Sequence, residues 1–160
     1  MKTPFDHFKT DTSVVQIEEN IYEGSLSDRW SIGKTPNGGY TMALAAKAIS
    51  ESLNHKDPLV ITANYLNRLN FGKVLISIEV LPFTKSLSSA RATMLQDDEI
   101  KVIFTATFTD FSQSKGLNKN FRQEPDFVDY KDCIFHPFKK GFNPGLEKFI
   151  EKKYCPNSVW

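Results

Sequence analysis

One change in hydrophobic periodicity, close to Pro58, constrains the fold more than any other feature of this sequence. From Tyr40 to Asn54 the apolar residues recur at the spacing of one helix face, and alanines keep the flanks of that helix thin. Asn37 is suited to cap the first turn, and Pro58 lies beyond the point where the helix must end. The sequence therefore predicts one long helix in an enclosed position, with its apolar face formed by Met42, Ala45, Ala46, Ile49 and Leu53.

After Pro58 the period becomes two, which is typical of β-strands, and it stays so for about fifty residues. Residues 59–66, 74–80, 90–94 and 100–108 each alternate apolar and polar side chains. An earlier pair, residues 14–17 and 21–26, predicts a hairpin. We expect a mostly antiparallel meander joined by short turns. Such a sheet and one helix bury both apolar faces only if the sheet curls around the helix, an α+β architecture.

Length and charge exclude several classes of protein. The 160 residues suit one domain, and the formal net charge of +1 is too even to direct the whole chain to nucleic acid. No apolar run approaches the ~20 residues of a membrane span, and the first residues have no apolar core of a signal peptide. Two cysteines are too few for a disulfide scaffold. We expect cytosolic thiols and a cytoplasmic protein.

The composition changes near residue 113. Residues 113–160 hold 9 Lys and Arg against 6 Asp and Glu, together with 9 of the 20 aromatic residues. We therefore expect a domain of residues 1–112, followed by an aromatic and basic C-terminal extension of residues 113–160. A short helix from Pro144 to Tyr154 is the strongest regular pattern in this extension, with Leu146, Phe149 and Ile150 facing inward.

The sequence lacks the residues that several common kinds of functional site require. Residues 33–35 end like a phosphate-binding loop, but Asp28 occupies the place of its first glycine. No G-x-S-x-G sequence supports a serine nucleophile. Cys133, His136 and Cys155 lack the paired spacing of metal ligands, so we expect neither a metal site nor a cofactor.

The predicted start of the long helix is the most promising chemical feature. Asn37, Gly38 and Gly39 directly precede its apolar stretch, so the N–H groups of the first turn lack helical acceptors and the dipole adds partial positive charge. Such an end can bind an anion or polarise a carbonyl, and glycine lets a ligand approach the backbone. An ordinary flexible start of a helix remains the alternative.

The segment from Trp30 to Ser112 resembles the thioesterase-like hotdog superfamily. Within it, the segment is most similar to the N-terminal half of the double-hotdog acyl-CoA thioesterases of type II. The sequence after residue 112 resembles the linker between the two hotdogs. The matching stretches are Thr35-Pro-Asn-Gly-Gly-Tyr40, Thr62-Ala-Asn-Tyr-Leu66, Ser86-Leu-Ser-Ser-Ala-Arg91, Leu95-Gln96 and Ile100 to Phe108.

The resemblance implies a sheet wrapped around the long helix and a second hotdog that completes acyl-CoA tunnels. That second hotdog would come from self-association or from a separate chain. A thioester carbonyl would point at the amides of Gly38 and Gly39, which we nominate as catalytic groups. The substrate-binding residues implied by the resemblance are Asn37, Tyr40, Tyr65 and, near the coenzyme, Arg91.

The carboxylate expected of such an enzyme is absent from its usual place. In single-hotdog relatives an Asp or Glu follows two turns into the helix, where Ala45 and Ala46 stand here. In the double-hotdog enzymes the resemblance places the catalytic Asp in the other hotdog. Asp28 and Glu23 are the nearest carboxylates that precede the glycines, and Asp28 is our candidate, although on an alternating edge strand either residue is more often a solvated surface charge.

Two functions follow, and the sequence does not decide between them. One is an acyl-CoA thioesterase, or half of one, which hydrolyses a fatty acyl-CoA to free acid and coenzyme A. The other is a non-catalytic hotdog that binds acyl chains or a partner subunit, which the missing acid favours. A hotdog dehydratase is a distant third, because the helix carries no His or Glu near its start.

Overall fold

The computed structural model describes residues 3–117, 119, 121–122, 127–141 and 144–156. Within these ranges, α1 spans Pro4–Asp11 and α2 spans Gly38–Ser52. Short 3-10 helices lie at Asp28–Trp30, Phe111–Gln113, Tyr130–Asp132 and Gly145–Phe149. The strands are β1 (Val14–Glu18), β2 (Ile21–Leu26), β3 (Ser31–Ile32), β4 (Thr35–Pro36), β5 (Asp57–Tyr65), β6 (Gly72–Val80), β7 (Ser88–Gln96), β8 (Glu99–Thr109), β9 (Ile134–Phe135) and β10 (Lys153–Tyr154).

Six antiparallel strands form one sheet in the order β1-β2-β6-β7-β8-β5, and this sheet encloses α2. The helix contacts every strand of the sheet. Its residues Leu44, Ala45, Ala48 and Ile49 are fully buried. The inward side chains of the strands, among them Ile76, Met94 and Phe104, complete one core. The predicted α+β sheet wrapped around one central helix is confirmed.

The predicted meander is correct for β6, β7 and β8 but wrong for β5. That strand pairs with β8 at the far edge of the sheet instead of with β6. The connection from β5 to β6 crosses one end of the sheet, where the N–H groups of Leu66 and Asn67 donate to Lys101 O at 2.9 and 3.1 Å. Gln96 then accepts from Asn70 N–H at 2.8 Å. Alternation specifies which face a side chain occupies, but it does not specify which strand lies beside it.

The start of α2 agrees with the sequence. Asn37 is the N-cap, and its Oδ1 accepts from the N–H of Tyr40 at 3.2 Å. The helix begins at Gly38, two residues before its predicted start, and its last turn is followed by Leu53 in an extended conformation. The two glycines therefore belong to the first turn and their amides run along the helix axis.

The N-terminal residues form the helix α1. Thr3 and Asp6 build a reciprocal capping box, and Pro4 occupies the first turn. The far end of the helix is fixed by Asp11, whose carboxylate accepts from the Arg29 guanidinium at 2.9 Å and from the Trp30 indole N–H at 2.9 Å. The Asp11 side chain is only 10% exposed, so these contacts dock α1 against the domain.

The C-terminal extension folds back onto the domain. The 3-10 helix at Gly145–Phe149 replaces the longer helix predicted from Pro144 to Tyr154, and Ile150 is 47% exposed instead of facing inward. Phe149 packs near Trp30, with ring centroids 5.7 Å apart. Two aromatic residues of the predicted extension, Phe142 and Trp160, lie outside the described residues.

Candidate functional site

Two amides in the first turn of α2 have no acceptor among the residues that the structure describes. Asn37 uses its own N–H to reach Trp30 O at 2.8 Å, and its side chain and carbonyl accept from Tyr40 and Thr41. In the described part of the chain, the N–H groups of Gly38 and Gly39 donate to no protein acceptor. These two donors stand at the positive end of the helix dipole, where they can stabilise negative charge on a bound oxygen.

Tyr65, on the neighbouring strand β5, lies over Gly38. Its hydroxyl donates to Gly38 O at 2.6 Å, and burial raises the pKa of this phenol. A Cβ added at Gly38 would come within 2.9 Å of the same hydroxyl oxygen, so any larger residue there would displace the end of the Tyr65 side chain. Gly39 stays exposed. The helix start is therefore covered on one side and open at Gly39.

A cavity of about 600 Å³, lined by both polar and apolar residues, lies beside Gly38, and we call it the Arg68 cavity. Arg68 supplies a positive charge to this cavity. No ion pair involving its guanidinium is found among the described residues. Thr35 donates to Leu69 O at 2.9 Å, which ties β4 to the crossing segment and fixes the rim. The cavity is lined by Thr35, Pro36, Gly38, Thr41, Tyr65, Leu66, Asn67, Arg68 and Leu69.

An apolar cavity of about 400 Å³, which we call the aromatic cavity, is lined by the cap residue Asn37 and by α1, Trp30 and the C-terminal extension. Phe8 stands edge-on to Trp30 at 5.1 Å between ring centroids, and Tyr40 lies 6.1 Å from Trp30. Such a surface accommodates an apolar chain. The lining residues are Phe5, Phe8, Trp30, Asn37, Tyr40, Leu146, Phe149 and Ile150.

The hydroxyl of Tyr40 forms hydrogen bonds with backbone groups. It accepts from Ser27 N–H at 3.0 Å and lies 2.9 Å from Asp11 O, to which it donates. Burial is the main reason that the pKa of Tyr40 is raised. Of the residues expected to bind substrate, Tyr40 therefore offers its ring to the aromatic cavity, while its oxygen holds β2 and α1 together.

Two candidate residues lie away from both cavities. Arg91 is on the outer face of the sheet, 3.8 Å from the carboxylate of Glu79 on β6. Asp28 is exposed in the 3-10 helix that follows β2. The weaker carboxylate candidate, Glu23, pairs with Lys73 at 2.6 Å. Among the described residues, no Asp or Glu lines either cavity.

Neither Arg68 nor the α1 wall of the aromatic cavity was predicted from the sequence. A signal for α1 was present, because Thr3-Pro4-x-Asp6 has the spacing of a capping box and Phe5 and Phe8 follow at helical spacing. No comparable signal existed for Arg68, whose position depends on the path of the crossing segment. Cys133, His136 and Cys155 belong to no cluster able to hold a metal ion within the described ranges.

A family model matches the part of the sequence that forms most of the sheet. Residues 26–109, from the end of β2 to the end of β8, match the model of the acyl-CoA thioesterase N-terminal domain. The chain belongs to this family. The matched region contains α2, its two glycines, Tyr65 and Arg68, so the Arg68 cavity lies within it, whereas α1 and the extension lie outside.

This chain covers only part of the length of each protein that it resembles. The thioesterase-like protein TwmA of Talaromyces wortmannii is 32% identical over 92 residues, which are 56% of this chain and 26% of that protein. A structure described as a thioesterase II from Thermobifida fusca superposes with a TM-score of 0.86 at 19% identity, covering 98% of this chain and 58% of the other. A hotdog protein from Alicyclobacillus acidocaldarius gives 0.76 at 20% identity, with coverages of 89% and 52%.

These two solved structures establish the hotdog fold, and the chain spans somewhat more than half of each. It spans about a quarter of TwmA. None of the helices in the described part of the chain combines the length and the apolar character that crossing a membrane requires.

Proposed function

We propose that this chain supplies one hotdog of a cytoplasmic thioesterase that hydrolyses fatty acyl-CoA to free acid and coenzyme A. The observation that carries the proposal is that the start of α2 lines two cavities that differ in character: Gly38 lines the one that holds Arg68, and Asn37 and Tyr40 line the aromatic one. A fatty acyl-CoA has the same division, with an apolar chain on one side of the thioester and a phosphate-bearing coenzyme on the other. Membership of the thioesterase family supports this assignment.

The acyl chain would enter the aromatic cavity. Trp30 and Tyr40 are 6% and 3% exposed, so its floor is fixed, while Phe5 at the mouth is 73% exposed. The coenzyme would extend over the Arg68 cavity, where the guanidinium can make charge-assisted hydrogen bonds to phosphate oxygens. This orientation brings the thioester carbonyl to the first turn of α2.

The amides of Gly38 and Gly39 would then stabilise the oxyanion that forms when water attacks the thioester carbon. Removing one such donor typically costs about 3 kcal/mol of transition-state stabilisation. The hydrogen bond from Tyr65 to Gly38 O at 2.6 Å fixes the orientation of the peptide that follows Gly38. That peptide carries the Gly39 N–H, so Tyr65 would act as a positioning residue.

The carboxylate that activates water would come from a second hotdog. No Asp or Glu among the described residues lines either cavity, and the fully buried Ala45 occupies the stretch of helix where relatives carry the acid. The free edge of β5 lies next to the Arg68 cavity through Tyr65. A partner strand added there would place its neighbouring side chains near Gly38.

A non-catalytic hotdog that binds acyl-CoA is the second candidate, and the same lack of a lining carboxylate favours it. The two functions share the substrate site and differ only in turnover. Release of free coenzyme A from a medium-chain acyl-CoA therefore separates them, with binding of the same ester measured in parallel by calorimetry. Binding without release would establish the second candidate and refute hydrolysis by this chain alone.

Asp28 is tested in the same assay by Asp28→Asn, with Asp132→Asn as the matched control. Both carboxylates are exposed in short 3-10 helices, but only Asp28 precedes the helix start. We expect equal rates in both variants if a partner supplies the base. A selective loss of turnover in Asp28→Asn would instead assign the base to this chain.

A further inference from the structure

Cys133 lies directly before β9 and Cys155 directly after β10, and we call this antiparallel pair of strands the hairpin of β9 and β10. In this antiparallel pair Phe135 lies opposite Lys153, and Ile134 lies opposite Tyr154. Continuing the register by one residue places Cys133 opposite Cys155. The backbone of Cys133 already has the extended conformation of a strand, with φ −74° and ψ 147°.

The hydrogen-bond pattern shows which kind of pair the cysteines form. His136 N–H donates to Lys152 O at 2.8 Å, so these two residues occupy a hydrogen-bonded position. Hydrogen-bonded and non-hydrogen-bonded pairs alternate along antiparallel strands. Cys133 and Cys155 are each three positions from the pair of His136 and Lys152, so they occupy a non-hydrogen-bonded pair. At a non-hydrogen-bonded pair the Cα atoms are about 4.5 Å apart, within the range of roughly 4.4–6.8 Å found in disulfides.

A second contact holds the two chain segments together beside the cysteines. The Lys153 ammonium lies 4.1 Å from the centroid of the Tyr130 ring and donates to Tyr130 O at 3.2 Å. Tyr130 begins the 3-10 helix directly before Cys133, and Lys153 lies two residues before Cys155. This contact links the two segments next to the inferred cysteine pair. Both cysteines are half-buried.

We propose that Cys133 and Cys155 form a reversible disulfide when the protein meets hydrogen peroxide. The thiolate of one cysteine attacks the peroxide, breaking the O–O bond, and becomes a sulfenic acid as one water is released. The facing sulfur then displaces the hydroxyl group as a second water and forms the S–S bond. Two thiols are oxidised and one peroxide is reduced to two waters, and a dithiol reductant reverses the step.

The bridge would close a loop that contains one wall of the aromatic cavity. The 3-10 helix at Gly145–Phe149 lies between the cysteines in sequence, and its residues Leu146 and Phe149 line that cavity. Oxidation would therefore restrict the motion of this wall against Trp30. The bridge does not depend on the proposed hydrolysis, since it follows from the register of the hairpin alone.

The test is treatment of the full chain with hydrogen peroxide, followed by intact mass, thiol titration and electrophoresis without reductant. We expect a monomeric species that has lost both titratable thiols and two hydrogens in mass, and that dithiothreitol restores. Sulfinic acid in place of a bridge, or covalent dimers as the main product, would overturn the proposal.

The double variant Cys133→Ser with Ile134→Cys is the matched control. It keeps two cysteines in the hairpin but moves one thiol to the opposite face, because side chains alternate along a strand. We expect it to retain its thiols under the exposure that bridges the unmodified chain, and equal bridging would refute the register argument. Amides of residues 145–149 should exchange hydrogen more slowly in the oxidised chain, and unchanged exchange would refute closure of the cavity wall.

Discussion

At the scale of single residues, the two arginines near the sheet differ in their surroundings. Arg68 lines the cavity beside Gly38, whereas Arg91 faces Glu79 on the outer surface. We predict that Arg68→Gln raises the KM for acyl-CoA, or its Kd if the chain only binds, by about tenfold, equivalent to ~1.4 kcal/mol for a lost charge-assisted contact.

Arg91→Gln is the control for that prediction, because it removes the same charge from the other face of the sheet. Its KM should match that of the unmodified chain. Equal effects of the two variants would mean that the coenzyme responds to overall charge and would remove Arg68 from the site. A larger effect of Arg91→Gln would restore Arg91 as the coenzyme contact.

Tyr40 supports a second prediction at this scale. Tyr40→Phe leaves the Ser27 N–H without its acceptor, so we expect a loss of ~1–3 kcal/mol in the free energy of unfolding. Because burial raises the folded-state pKa, the protonated phenol stabilises the fold fully below about pH 10 and progressively less above it.

Urea unfolding of both chains, at neutral pH and at increasing pH around 10, measures the two effects. The unmodified chain should lose more stability in the alkaline range than Tyr40→Phe does. Tyr65 contributes a change of the same sign in both chains, because burial raises its pKa as well. An alkaline loss of equal size in the two chains would contradict the assignment to Tyr40.

At the scale of elements, the closeness of α2 to β2 depends on one glycine. A Cβ at Gly24 would lie 2.9 Å from one methyl carbon of Leu44 and 3.2 Å from the other. Leu44 is fully buried and cannot move into solvent. We predict that Gly24→Ala lowers the free energy of unfolding by ~1–3 kcal/mol through overpacking, measured by urea denaturation.

The double variant Gly24→Ala with Leu44→Val tests whether this contact is the cause. Valine lacks the outer methyl carbons that meet the new Cβ, so the loss in the double variant should be smaller than the sum of the single losses. Gly116→Ala is the control, since a Cβ there meets nothing within 4 Å. Strictly additive losses would locate the cost of Gly24→Ala elsewhere, in β2 itself.

At the scale of the whole molecule, the sheet ends in the edge strands β5 and β1, and both expose apolar residues. Only β5 adjoins the Arg68 cavity, through Tyr65. We predict that the chain associates along β5, and that Val60→Lys, at a position 55% exposed, shifts it to monomer in sedimentation experiments.

Val15→Lys on β1, at a position 67% exposed, is the matched control and should leave the association unchanged. An unmodified chain that sediments as a uniform 18.2 kDa monomer at all concentrations would contradict self-association. The carboxylate would then have to come from a hotdog on a different chain.

The sequence by itself determined the helix, the strands and the enclosure of one by the other. Helical and strand periods are local properties, and an alanine-rich helix followed by alternating strands has few ways to bury both apolar faces. Asn37 as the cap of α2 is equally local, because it depends on a residue type directly before an apolar run.

Only the tertiary structure decided which strand lies beside β8, where Arg68 points, and how α1 and the extension build the aromatic cavity. These arrangements depend on the crossing segment after Tyr65 and on the salt bridge of Asp11, contacts between residues far apart in sequence. The pairing of β9 with β10, from which the facing positions of Cys133 and Cys155 are inferred, is of the same kind. A period along the chain assigns side chains to faces, whereas proximity between segments is set by how the whole chain closes.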